Sequence, residues 1–404
     1  MSLLPVADAL ARILDGVQPV SSQDVPLAQA VDRVLGQDVA ATRTQPPAPV
    51  SAMDGYAVRA SDVVRAPAAL SVIGTAPAGH LFNGRVEPGQ AVRIFTGGVM
   101  PEGADTVVIQ ENTEAHGDQV RINEPAKPGA FVRPAGLDLK SGDVMLHAGT
   151  LLRPRHIALA AAMNRTHLPV RRKVRVGVLA TGDELVPPGT EPGPGQIVSS
   201  NNAGIQAFAT MHCGDAIDLG IARDTPESLA DALKDARAKA LDILITLGGA
   251  SVGDHDLVLS SLQKEGLTLG FWKIAMRPGK PLMYGRLGGT RVLGLPGNPV
   301  STMVCARLFL TPLLAALQGR VDFHDELEQA AVTVDLPQND QRQDYLRARL
   351  ERISSGSLTA TPYQRQDSSM LAVMASANVL IVRPPHATAV SAGEQVPLLR
   401  IDHP

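Results

Sequence analysis

The chain has 404 residues, 44% hydrophobic, with 37 basic and 40 acidic side chains and a net charge of −3. That length predicts several domains, and the near-neutral balance excludes a global electrostatic drive toward nucleic acid or an anionic membrane. Aromatic content of 3% argues against stacking platforms for single-stranded nucleic acid, and 2 cysteines exclude a disulfide framework or a zinc spacing.

The opening stretch carries Asp8 and Asp15 inside an apolar periodicity. It predicts an amphipathic helix over 4–16, with Val6, Leu10, Ile13 and Leu14 on one face, rather than a signal peptide. A second short helix is expected over Leu27–Leu35, closing at Gly36. Ala41–Pro49 is a Pro-rich crossing. Next, Leu70–Ile73, Ala91–Phe95, Thr106–Ile109 and Gln119–Ile122 alternate with turn signals, as in a small all-β module. Residues 143–170 return to an apolar strand and a helix, His156–Met163. The expected organisation is therefore a discontinuous N-terminal domain, 1–45 and 143–170, with a β domain inserted at 46–142.

Residues 171–320 read as α/β. Strands are expected at Val174–Ala180, Ile217–Ile221, Ile243–Thr246 and Arg291–Leu295. Helices are expected at Ala203–His212, Pro226–Lys239, Asp256–Lys264 and Val300–Leu317. Thr225 is an N-cap before Pro226, and Gly214 and Gly319 suit the position after a helix. The alternation implies a parallel sheet covered on both faces. Residues 321–404 lose it, and Ala331–Val334, Tyr345–Leu350, Leu358–Thr361 and Val379–Val382 predict a final small β domain. No apolar run is expected to reach membrane-spanning length. Cys213 and Cys305 are expected as buried free thiols, which fits a reducing, cytoplasmic setting.

Chemistry gathers where the α/β strands end. Ile243–Asp256 (ILITLGGASVGDHD) runs from a buried strand into small residues and then acids. Bare backbone N–H groups there can meet a phosphate, and carboxylates beside a phosphate call for a divalent cation. Three more loops leave the same rim: Thr181–Leu185, Arg223–Thr225 and Pro296–Pro299. Together they would gather Asp183, Glu184, Asp224, Asp254 and Asp256. Lys273, Arg277 and Lys280 add cations that can meet an oxyanion, or form an ordinary solvated strand edge. No GxGxxG or Walker A sequence is present, so the pattern suits phosphoryl or nucleotide chemistry better than hydride transfer. His80, His116, His147 and His156 are scattered, which argues against a His-ligated metal. In the β module, Ser51–Tyr56 and Phe95–Gly98 read alone as turns.

Taken in order, these motifs resemble one family: SAMDGYA at Ser51–Ala57, FTGG at Phe95–Gly98, PEGAD at Pro101–Asp105, TGDEL at Thr181–Leu185, GGASVGDHD at Gly248–Asp256, RPGKP at Arg277–Pro281 and PGNP at Pro296–Pro299. The family is molybdopterin molybdenumtransferase, or MoeA, also seen as the E domain of gephyrin, and the resemblance spans nearly the whole chain. It implies a discontinuous N-terminal dimerisation domain, an inserted β domain, an α/β molybdopterin-binding domain (171–320) and a C-terminal β-barrel-like domain (321–404). It also implies insertion of molybdate into adenylylated molybdopterin with release of AMP, using a divalent cation, usually Mg²⁺. Glu184, Asp224 and Asp254 would hold the cation, and these three with Asp54 and Thr96 would be catalytic. Asp138, Thr181, Gly248, Gly249, Ser251, Lys273, Arg277, Lys280, Pro296, Pro299 and Ser368 would bind substrate. Asp54, Thr96 and Asp138 would approach from the partner of a homodimer. An adenylyltransferase and acceptor molybdoenzymes are further implied partners. The alternatives are a molybdopterin adenylyltransferase and a gephyrin-like dimeric scaffold. Three departures stand out: Arg277 where the family often has Lys, Val198-Ser199-Ser200 where many members carry an acid, and an imperfect Ser368-Ser369 turn. Arg342 and Arg347 fit either a basic stretch beside that turn or a surface strand.

Overall fold

The computed structural model describes residues 3–248, 257–321, 327–354 and 356–402. Helix α1 (Val6–Leu14) buries Ala9 and Ile13 in the same core as the large sheet described below. Its last carbonyls are capped from that sheet. Arg291 donates to Ile13 O at 2.8 Å and to Asp15 O at 3.1 Å, and Arg286 donates to Asp15 O at 2.5 Å.

Strands β1 (Ser22–Pro26), β2 (Val39–Ala40) and β3 (Val50–Ser51) follow. The helix expected over Leu27–Leu35 is a correction: only Leu27–Gln29 form a 3₁₀ turn. Asp32 takes φ +60°, and Val34 and Leu35 bridge to Leu151 and Val170 instead. Tertiary β pairing overrides the local helical pattern there.

The next six strands are β4 (Gly55–Val58), β5 (Ala68–Ala76), β6 (Gln90–Ile94), β7 (Thr106–Ile109), β8 (Thr113–His116) and β9 (Gln119–Ile122). They form one sheet, ordered β7-β4-β6-β5-β9-β8. Neighbours along a strand fill opposite faces, Val108 one core and Val107 the other, as the two-residue period requires. The chain enters and leaves this sheet as a paired ribbon. Ala41 N–H donates to Asp143 O at 2.8 Å, Gln45 to Leu139 O at 2.8 Å and Gly136 to Pro46 O at 2.9 Å. Strand β10 (Val132–Arg133) pairs antiparallel with β3 at the far end. After it come β11 (Val144–Leu146), α2 (Pro154–Ala162) and β12 (His167–Arg171), with β11 on β2 and β12 on β1. Leu35 and Val39 share a core with Leu139, Leu146 and Leu168 across this junction.

The α/β region contains β13 (Val174–Thr181), β14 (Leu185–Val186), β15 (Ile197–Val198), α3 (Ser200–Met211), β16 (Gly214–Ala222), α4 (Pro226–Ala238), β17 (Ile243–Leu247) and α5 (Leu257–Lys264). It continues through β18 (Thr268–Trp272), β19 (Met276–Arg277), β20 (Met283–Leu287), β21 (Thr290–Leu295), α6 (Pro299–Cys305) and α7 (Thr311–Leu317). The sheet order is β16-β13-β17-β21-β20-β18. The first four strands run parallel, and β20 and β18 add an antiparallel edge. On β17, Ile243, Ile245 and Leu247 face α1, α3, α6 and α7, while Leu244 faces α4 and α5. The expected double covering is therefore present. The helix before β16 ends earlier than read: Cys213, at φ +61°, and not Gly214, takes the left-handed position. Cys213 is half-buried rather than buried, and Cys305 is fully buried. Thr225 does cap α4, accepting from Ser228 N at 3.2 Å. Pro299–Leu317 is a continuous helical run of 19 residues, long and apolar enough to cross a membrane, contrary to the sequence expectation. It is 83% buried inside the protein, however, as a core helix is.

The C-terminal strands are β22 (Glu328–Val332), β23 (Gln343–Arg352), β24 (Leu358–Pro362), β25 (Val379–Arg383) and β26 (Gln395–Arg400), with helix α8 (Leu371–Ser376) before β25. The order β23-β24-β22-β26-β25 closes back on β23, giving a small barrel. Strand β19 of the α/β region extends β23 in parallel and fastens barrel to sheet. Arg347 of β23 is 1% exposed, so it belongs to no surface strand, and its guanidinium donates to Asp367 O at 3.1 Å.

Candidate active site

Chain order reverses between β13 and β17, the inner two of the four parallel strands, so the connections leaving their carboxyl ends diverge and open a crevice. Thr181 ends β13 and donates its hydroxyl to Leu247 O of β17 at 3.3 Å. Gly248 then leaves β17 at φ +90°, where a Cβ would lie 2.8 Å from Thr181 O. A side chain there would close the crevice. The result is a cavity of about 720 Å³. Its lining includes Thr181, Gly182 and Glu184, the α3 start at Ser199–Asn201, Asp224, Gly248 and Pro296–Pro299.

Two loops of this wall are held by side-chain amides. Asn201 donates to Gly297 O at 2.7 Å. Asn298 donates to Ser368 Oγ at 3.0 Å, and Val300 N–H donates to Ser368 O at 3.1 Å. That latch brings Ser369 of the barrel into the lining. Asp367 fixes Ser369 in turn, accepting from its N–H at 2.8 Å and its hydroxyl at 2.6 Å. Both α3 and the Pro299 helix start at the cavity, so two helix N-termini open onto it.

The carboxylates crowd one another. Partial desolvation against the cavity wall, then the charges of Asp183 and Glu184, push the largely exposed Asp224 carboxyl above the usual carboxylate range. The folded state thus binds a proton more tightly than the unfolded chain. Asp224 should therefore lose stability as pH rises through a window just above the ordinary carboxylate pKa. A cation among these oxygens should depress that pKa. The expected result is a slope in melting temperature against pH that Asp224→Asn removes and saturating Mg²⁺ flattens, measured by thermal denaturation. A slope insensitive to both would place no cation at Asp224.

A second acidic corner lies in the small sheet. Asp54 Oδ1 accepts from Thr96 N at 2.7 Å and from Thr96 Oγ1 at 2.8 Å. These two bonds hold its carboxyl below the usual range, so it is ionised at neutral pH. Asp54, Thr96 and Asp138 are absent from the lining of the cavity in their own chain.

Comparison with known proteins places the whole chain. Residues 4–164 match the MoeA N-terminal region (domains I and II), 177–316 a probable molybdopterin binding domain, and 329–401 the MoeA C-terminal region (domain IV). The molybdopterin molybdenumtransferase of Haemophilus influenzae is 35% identical over 99% of both chains. The chain belongs to the molybdopterin molybdenumtransferase family. A second member, from Nostoc, is 36% identical across 98% of this chain and 94% of its own. The crystal structure of the molybdopterin biosynthesis MoeA protein from Pyrococcus horikoshii superposes with a TM-score of 0.87 at 29% identity, covering 99% of this chain and 100% of that one. The protein is thus a MoeA-type transferase of molybdenum cofactor biosynthesis.

Among the residues singled out from the MoeA motifs, Thr181, Glu184, Asp224, Gly248, Pro296 and Pro299 meet in the cavity, and Ser368 holds its wall. Gly249, Ser251 and Asp254 lie outside the described residues. The three cations are not in the lining, although Pro281 beside Lys280 is. Lys273 lies 4.6 Å from the Trp272 ring centroid. Arg277 is ion-paired to the buried Asp344 and lies 3.6 Å from Asp340, so in this state it ties sheet to barrel. Sequence reasoning missed Asn201, Asn298 and Ser369. Asn298 stands inside the PGNP motif and Ser369 beside Ser368, but the amide contacts of Asn201 to Gly297 and of Asn298 to Ser368 join segments far apart in the chain.

Proposed function

We propose that the protein inserts molybdate into adenylylated molybdopterin and releases AMP in a divalent-cation-dependent step. The observation that carries this reading is the cavity, where carboxylates, two helix N-termini and a tight glycine turn converge at the strand ends. Anionic phosphates suit the helix N-termini, and the acids suit a cation between them.

The donor set fits Mg²⁺. It offers carboxylate oxygens, and the Asp224 carboxyl is pushed up first by desolvation and then by the neighbouring charges of Asp183 and Glu184, which a cation would offset. Among the described residues no group of three or more His, Cys, Asp or Glu side chains converges as a full metal cage. Mg²⁺ characteristically takes only one or two carboxylates and completes its shell with phosphates and water. Glu184 and Asp224, with Asp254 from the sequence motif, would hold the ion, which when bound neutralises the bridging phosphate oxygens and the leaving AMP. Thr181 and Gly248 keep the crevice open, the starts of α3 and α6 receive phosphate, and Pro296 and Pro299 shape the pocket. Lys273, Lys280 and Arg277 would meet molybdate or phosphate once Arg277 leaves Asp344.

The site is completed by a homodimer in this reading. Asp54, Thr96 and Asp138 are absent from the lining of their own chain's cavity, and Asp54 is half-buried and ionised, so a second copy would supply them. A molybdopterin adenylyltransferase would need the α/β region alone, whereas here a barrel residue, Ser369, lines the cavity. Two unpaired cysteines support a cytoplasmic location. Hand-over from an adenylyltransferase and on to acceptor molybdoenzymes follows from the same reading. The test is AMP release from adenylylated molybdopterin. Release should require both molybdate and Mg²⁺; ligand bound without any release would leave a binding or scaffold role.

A further inference from the structure

Asp54 sits half-buried in a network of hydrogen bonds, and one cation ties the residues around it together. Arg93, on β6, sits opposite Tyr56 of β4. Its guanidinium donates to Gly55 O at 2.8 Å and to Gln110 Oε1 at 2.7 Å. The same group lies 5.2 Å from the Tyr56 ring centroid and 4.9 Å from that of Phe95. Gln110 in turn donates its backbone N–H to Asp54 O at 3.0 Å. Thr96, just past the end of β6, grips the Asp54 carboxylate from the third side. Gly55 lies so close to β7 that a Cβ there would stand 2.0 Å from Val108 O, so only glycine fits beside Asp54. Asp54 Oδ2 has no partner among the described residues, so the corner leaves one acceptor oxygen available.

We propose that Arg93 is the positioning residue of this corner, aiming the Asp54 carboxylate through Gly55 O and Gln110 without itself touching substrate. The inference rests on the reading above of Asp54 as a site residue. Arginine suits the task because its planar fork can make two diverging hydrogen bonds while its face lies on aromatic rings, which a lysine cannot do.

The experiment compares Arg93→Ala, Arg93→Lys and Asp54→Asn in the full-length protein, reading kcat and KM for AMP release together with melting temperature. Misplacing the carboxylate should lower kcat about 10²-fold in Arg93→Ala with KM little changed. Arg93→Lys should fall between this variant and the natural protein. Millimolar guanidinium should restore part of kcat to Arg93→Ala and none to Asp54→Asn. Natural kcat in Arg93→Ala alongside a loss in Asp54→Asn overturns the inference and leaves the role of Asp54 intact. So does a loss that guanidinium does not restore and that tracks a fallen melting temperature. Full activity in Asp54→Asn instead overturns the assignment of Asp54 and this inference with it.

Discussion

Glu184→Gln and Asp224→Asn should each lower metal-dependent AMP release by about 10²–10³-fold, the usual effect of removing one preorganised electrostatic partner of a transition state. Both side chains are exposed in a wet cavity, so neither change leaves a buried group unpaired, and melting temperature should hold within about 0.5 kcal/mol of stability. The Mg²⁺ concentration needed for half-maximal release should rise in both variants. Asp224→Asn also relieves the crowding by Asp183 and Glu184, so its apo form should be no less stable than the natural protein near neutral pH. Two fully active variants would mean that the cation is held elsewhere.

A mixture of Asp54→Asn and Glu184→Gln chains should recover activity that neither variant has alone. The reason is geometric: Asp54 is not in the lining of its own chain's cavity, while Glu184 is. If each site takes Glu184 from one copy and Asp54 from the other, a mixed dimer keeps one intact site and one doubly damaged site. Statistical exchange at equal concentrations then gives about one quarter of the natural rate. Sites confined to single chains would give only the residual rates of the two parents. Exchange must be allowed to reach equilibrium, which size-exclusion chromatography of a tagged and an untagged copy can follow.

Much of this architecture was legible because burial imposes simple periods. The runs at Leu70–Ile73, Gln119–Ile122, Ile243–Thr246 and Val379–Val382 each lie within an observed strand. The rim was legible because four strand ends carry acids or small residues where apolar ones would pack better. Pairings between distant segments were not legible. Leu27–Leu35 has a helical pattern, yet Val34 and Leu35 pair with residues more than a hundred positions away. Arg347 looks like surface charge until the barrel closes around it. Arg277 reads as a free cation until β19 joins β23 and sets it beside Asp344. Ser369 enters the cavity beside Ser368, which the Asn298 amide and the Val300 N–H hold from the far side of the chain, contacts no local spacing encodes.

The paired ribbon between the small sheet and the rest of the chain has a mechanical meaning. A single covalent strand would be a swivel, leaving its cargo free to rotate about every φ and ψ of the tether. Here the outgoing segment at 41–51 and the returning one at 132–143 are cross-tied by backbone hydrogen bonds along their length. Twist is therefore resisted while bending remains possible, as in a leaf spring. The small sheet carries its acid on an arm of fixed heading, and only the arm's flexure sets how far that acid reaches. Adding one residue to a single side of the ribbon would skew the heading; adding one to each side would lengthen the arm and preserve it.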